Sequence, residues 1–209
     1  MTTELKLDHI AIGASSLEEG AAYVKSLLGI DMPMGGDHLK MGTHNLLLRL
    51  GEDVYLEVIA INPKLKPPSY ARWFSLDHRG NLSPSVSTWI VNSTDIERSI
   101  AHMSGQLGPA IDMSRGELEW KITVPEDGYM PYDGYHPTVI EWPKAVHPVN
   151  NMQDFGMKLV KFTIESPYAS DIQSSLGDGF IDDRVVFEEA KAQKMSAEIE
   201  TPNGTVVLY

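Results

Sequence analysis

Residues 7–20, LDHIAIGASSLEEG, carry the alternation of a strand followed at once by the start of a helix. From Leu7 to Gly13 the period is two, which places Leu7, His9 and Ala11 on one face and Asp8, Ile10 and Ile12 on the other. Ser15 and Glu18 then match the Ser-x-x-Glu capping box, in which hydroxyl and carboxylate satisfy free backbone N–H groups. Leu17, Ala21, Val24 and Leu28 form the inward stripe of the helix that follows, and Gly29 suits its end. His9 therefore stands in a strand that feeds directly into a helix. By itself such a histidine is more often a hydrogen-bonded core or surface residue than a ligand.

The same pattern returns. A strand spans Val86–Asn92, Thr94 and Glu97 form a second box, and Ile96, Ile100, Met103 and Leu107 repeat the helical offsets, with Gly108 at the position of Gly29. A weaker third copy runs through KLVKFTIESPYASDI (158–172), with Ser166 and Pro167 as its helix start. Further strand-like runs follow each copy: HNLLLRL and VYLEVIAI, then ELEWKITV and PTVIEWP, then RVVFEEA, MSAEIET and GTVVLY. The turn signals Gly51-Glu52-Asp53 and Pro202-Asn203-Gly204 separate two of these pairs. The connections at 62–84 and 143–156 hold aromatics among their prolines and are expected to be packed. This is an α+β pattern, not a doubly wound parallel sheet.

The 209 residues suffice for one large domain or two small ones. Lys and Arg number 17 against 29 Asp and Glu, a net charge of −12, which argues against nucleic acid and anionic membranes as partners. A local arginine can still hold a small anion. With no cysteine there are no disulfides, thiolate sites or cysteine nucleophile. No signal-peptide core or membrane-length apolar run is present, so a cytoplasmic protein is expected. No G-x-S-x-G elbow or phosphate loop occurs.

The repeated βαβββ units, LDHIAIG opening the first and YLEVIAI closing it, resemble the vicinal oxygen chelate superfamily, the glyoxalase/bleomycin-resistance/extradiol-dioxygenase-like fold. GTHNLLLRL, RWFSLD, RGELEWKI, PTVIEWPKAVHP and TPNGTVVL are similar to a group of bacterial glyoxalase-like domain proteins. The resemblance implies that unit one (5–62) and unit two (84–143) pair within residues 1–145 around a cavity. A third unit (156–209) would pack alongside, and homodimers are common among such proteins.

It also implies a divalent metal (Fe, Mn, Zn, Ni or Mg) and a lyase, isomerase or dioxygenase acting on a small molecule with vicinal oxygens. His9 matches the first-strand ligand of unit one, Glu57 its last-strand ligand and Glu141 the counterpart in unit two. These three should then converge, with Glu57 and Glu141 able to transfer protons. The second first-strand position holds Thr88 instead of a strong ligand. His44 is a candidate replacement, and Asn45, Thr88, Arg115 and Trp142 are candidates for touching substrate. Buried carboxylates need a cation or an arginine close by. The alternative is a metal-free sequestering or sensing protein, with Arg115 or Lys121 pairing the glutamates. A subunit whose role is association is a third reading.

Overall fold

The computed structural model describes residues 4–103 and 107–209. Unit one comprises β1 (Leu5–Gly13), α1 (Leu17–Leu28), β2 (Met34–His38), β3 (Thr43–Arg49) and β4 (Tyr55–Ile61). Unit two comprises β5 (Ser85–Ser93), α2 (Ile96–His102), β6 (Ala110–Arg115), β7 (Leu118–Thr123) and β8 (Thr138–Glu141). The remainder forms β9 (Lys158–Ser166), α3 (Ala169–Leu176), β10 (Val185–Glu189), β11 (Lys194–Thr201) and β12 (Gly204–Leu208). Strand, helix and three strands therefore follow one another three times. Among the described residues no helix is long and apolar enough to cross a membrane.

The first two units share an eight-stranded sheet ordered β2-β3-β4-β1-β5-β8-β7-β6. Each sets its first strand parallel to its last, and β1 joins β5 antiparallel at the centre. The sheet curls until its edges meet. Lys40 Nζ, just past β2, donates to Asp112 O of β6 at 2.8 Å. The last four strands form a separate sheet, β10-β9-β11-β12, in which β9 runs parallel to β10, the strand directly after the helix. The third repeat thus keeps the element order of the others but not their strand order.

Two apolar layers result. On the convex side Leu7, Ile10, Ile12, Leu48, Leu56, Val58 and Trp89 pack against α1, α2 and the small sheet. Trp89 anchors that sheet, its ring 5.9–6.0 Å from those of Phe162, Phe180 and Phe187. Arg184 adds a tie, donating to Asp53 in the β3–β4 turn at 2.8 Å and to its neighbour Asp182 at 2.7 Å. On the concave side Ala11, Ile59, Ile90, Trp120, Ile122 and Ile140 form a second layer, covered by Trp73, Phe74 and Leu76 from the 62–84 connection.

Several local details differ from the sequence reading. The strand pairing slips between Leu7 and His9, a β-bulge at Asp8, so Leu7 joins Ile10 on the convex face and not His9. Both helices start one residue later than expected. Ser16 caps α1 by accepting from Glu19 N, and Asp95 caps α2 by accepting from Arg98 N. α2 also ends early, at His102, so Gly108 does not close it. Gly108 serves the next connection, where a Cβ would stand 2.1 Å from Val124 O. β2 and β6 escape pattern reading because MGGDH and AIDMSR are edge strands without clean alternation.

Candidate functional site

The concave face of unit one carries a line of polar groups where packing alone would favour apolar ones. His9, His38, Asn45 and Glu57 are each at most 5 % exposed. His9 comes from β1, Glu57 from β4, Asn45 from β3 and His38 from β2. Glu57 shares its face with Tyr55 and Ile59, as the period-two alternation of β4 requires.

His9 lies between two carboxylates. Its Nδ1 is 2.6 Å from Asp8 Oδ1 and its Nε2 is 3.5 Å from Glu57 Oε2. Asp8 only accepts, so Nδ1 carries a proton, and the nearby Glu57 carboxylate favours a second on Nε2. Burial alone would depress the histidine, but Asp8 and Glu57 outweigh it and raise its pKa to about 9. The flat face of the imidazolium stacks on Tyr55, centroids 4.4 Å apart. Burial raises Glu57, yet the contact with His9 and the hydrogen bond from Asn45 hold it below the usual carboxylate value.

Asp8 is the hub behind His9. Its second oxygen accepts from Asn92 at 3.0 Å, from Trp142 Nε1 at 2.9 Å and from His147 at 3.0 Å. Burial raises Asp8, but the hydrogen bonds and charges of His147 and His9 outweigh it and keep the group ionised far below the usual carboxylate range.

On the other side, Asn45 Nδ2 donates to Glu57 Oε1 at 2.6 Å and Asn45 Oδ1 accepts from Arg115 Nη1 at 3.2 Å. Carboxylate and guanidinium thereby fix the orientation of the amide. His38 turns its Nδ1 to Thr43 Oγ1 at 3.0 Å and is kept neutral by burial, its pKa lowered to about 4. Two histidines on one face thus hold opposite protonation states.

The enclosed space is small, about 20 Å³ open to the centre of a water molecule. That admits a water, not an organic ligand. Its walls are Tyr55, Trp73, Phe74, Trp120, Ile122, Ile140 and Trp142 around the polar line, with Arg115 at one side.

The remaining sequence candidates fall elsewhere. Glu141 does not converge with His9 and Glu57. In β8 it is Ile140 that faces inward, and Glu141 accepts from Ile96 N at the head of α2, at 2.7 Å. His44 alternates with Asn45 and so leaves the concave face; its Nε2 is buried and has no partner among the described residues. Thr88 is fully buried two residues before the inward Ile90, with no partner for its hydroxyl among the described residues, and does not line the cavity. Lys121 alternates with the inward Trp120 and Ile122 and pairs in register with Glu141, away from Glu57. Asp8, His38, Trp73 and His147 escaped the sequence reading. Asp8 was hidden by the bulge, His38 by its unrecognised strand, and the other two lie in connections with no periodicity.

A curled sheet of paired βαβββ units enclosing a buried His–Glu pair defines a glyoxalase-like protein. The sequence agrees: residues 7–178 match the family described as glyoxalase-like domain, and the chain belongs to it. No curated protein matches the sequence.

Among solved structures the chain is similar to a variant of 4-hydroxymandelate synthase from Streptomyces coelicolor. That match has 12% identity and a TM-score of 0.53, over 99% of this chain and 63% of that one. Methylmalonyl-CoA epimerase from Mycobacterium tuberculosis matches at 17% identity and a TM-score of 0.42, over 66% of this chain and 87% of that one. A hypothetical protein from Bacillus halodurans matches at 16% identity and a TM-score of 0.42, over 68% and 96%. At these identities the likeness is one of fold.

The donors present do not make the divalent-ion centre that the resemblance implies. Both nitrogens of His9 are engaged by carboxylates. Unit two lines the cavity with Trp120, Ile122, Ile140 and Trp142, none of them a ligand, and adds the cation Arg115. Among the described residues no group of three His, Cys, Asp or Glu is arranged to hold a metal ion.

Proposed function

We propose that this glyoxalase-like chain moves protons on a small molecule with adjacent oxygens, admitted when Trp73 and Phe74 swing off the cavity, with His9 and Glu57 as the working pair. The observation that supports it is the buried ion pair itself: an imidazolium and a carboxylate 3.5 Å apart at a cavity wall. Opposite charges held in a nearly closed pocket are costly as structure and useful as chemistry.

Glu57, ionised, takes a proton from the carbon beside a carbonyl. The electron pair of that C–H bond becomes the C=C of an enolate, whose oxygen accepts a hydrogen bond from His9 or Arg115. Where the deprotonated carbon bears a hydroxyl, that hydroxyl gives its proton to the enolate oxygen and Glu57 returns its own to the former carbonyl carbon, completing an isomerisation. Where a substituent sits one carbon beyond the enolate, its bond breaks with the electron pair leaving on it and the proton held by Glu57 goes to it, completing a lyase reaction. These steps use only side chains of this chain. The metal-dependent lyase, isomerase or dioxygenase of the resemblance requires ligands that Glu141 and Thr88 do not supply.

A second reading, a metal-free binding protein, is favoured by the closure of the cavity under Trp73 and Phe74. Proton exchange separates the two. With 2-oxobutanoate in D2O, the native protein is expected to speed deuterium uptake at C3, and Glu57→Gln to abolish that effect. Exchange no faster than in buffer, or unchanged in Glu57→Gln, overturns the proton-transfer reading and leaves the binder.

A further inference from the structure

Arg115 is the one residue that lines both the inner cavity and a separate outer cleft of about 360 Å³. The cleft lies between the start of β2, the β6–β7 turn and the segment after Pro148, and its apolar walls include Met34, Leu47, Leu118 and Met152. In a chain with 29 acidic residues it is lined, among the described residues, by no carboxylate, and Arg115 is the only charged one among them in its lining. The clefts beside His147 and beside Trp120 differ, the first lined by Glu4, Asp8, Glu52 and Asp53, the second by Asp112, Glu119 and Glu141.

Arg115 itself is half-buried and, among the described residues, meets no carboxylate; its one hydrogen bond goes to the neutral amide of Asn45. Its stem is held in place by Gly36 (φ +144), where a Cβ would come within 3.0 Å of Arg115 Cδ. A positioned guanidinium that keeps unused donors beside an acid-free apolar cleft is suited to a carboxylate. A second unmet donor points to the same ligand chemistry: Trp73, 2 % exposed in the wall of the inner cavity, buries its Nε1–H without an acceptor.

We propose that this cleft binds the apolar body of a small carboxylic acid, with its carboxylate on Arg115, where the cleft meets the cavity. The inference rests on the site proposed above and specifies its substrate class as an aliphatic acid, entering between β2 and the β6–β7 turn.

Hexanoate and hexan-1-ol, followed by calorimetry and tryptophan fluorescence, test it without any chemical step. Hexanoate is expected to bind at least about tenfold more tightly than the alcohol, and Arg115→Gln to weaken it by about 10- to 100-fold. Leu118→Glu, which places a like charge in the cleft, is expected to weaken it similarly. Absence of hexanoate binding, equal affinity for the alcohol, or full affinity in Arg115→Gln overturns the proposal. The two readings fail separately. Arg115-dependent binding without deuterium exchange removes only proton transfer, and exchange without hexanoate binding removes only the cleft.

Discussion

Asp8 and His9 are neighbours in one strand, yet their side chains meet, Oδ1 to Nδ1, at 2.6 Å. Adjacent residues of a regular strand point to opposite faces, and the bulge at Asp8 suspends that rule. The carboxylate that charges the histidine is therefore supplied locally, while its counterpart Glu57 arrives from the parallel strand β4.

This arrangement sets a pH dependence. His9 has a folded pKa of about 9 against 6.5 for an ordinary histidine, so its contribution is complete below pH 6.5 and is lost as pH rises through 9. The contribution is on the order of 3 kcal/mol. Thermal unfolding of the native protein should show a falling melting temperature between pH 7 and 10, beyond the fall seen in His9→Gln. Histidine NMR should show His9 titrating well above neutrality. A ring neutral at pH 7 contradicts the ion pair.

Asp8 and Glu141 should respond differently to loss of charge. Asp8→Asn leaves a buried imidazolium and several donors without their acceptor, at a cost of roughly 3–5 kcal/mol, and should lower the pKa of His9. Glu141→Gln weakens only the bond to Ile96 N at the head of α2, at a cost of about 1 kcal/mol. Denaturant unfolding combined with the histidine titration distinguishes them. A shift of His9 in Glu141→Gln would return that glutamate to the site.

Metal titration gives an independent check. Calorimetry with Mn²⁺, Zn²⁺ and Ni²⁺ on protein prepared without a metal-binding tag is expected to show no stoichiometric uptake that depends on His9. To ligate through Nε2, His9 would have to give up the proton that this nitrogen turns to Glu57. One-to-one binding abolished by His9→Gln and by Glu57→Gln overturns this expectation.

Much of this protein can be read from sequence because its signals are local. Alternation and capping residues announce β1, β5 and β9, and the helix stripes are fixed by a 3.6-residue period that needs no knowledge of distant contacts. The glyoxalase-like fold follows, as does the placement of Glu57 in an apolar strand. What the tertiary structure decided depends on register and pairing. One inserted residue at Asp8 moved Leu7 to the convex face and paired Asp8 with His9. The exact phase of a four-residue strand sent Ile140 inward and Glu141 to α2. The edge strands β2 and β6, too irregular to announce themselves, brought His38 and Arg115 to the cavity only because the sheet curls until its ends meet. A period of two makes the face of a side chain depend on a single residue, and that residue is set by partner strands far along the chain.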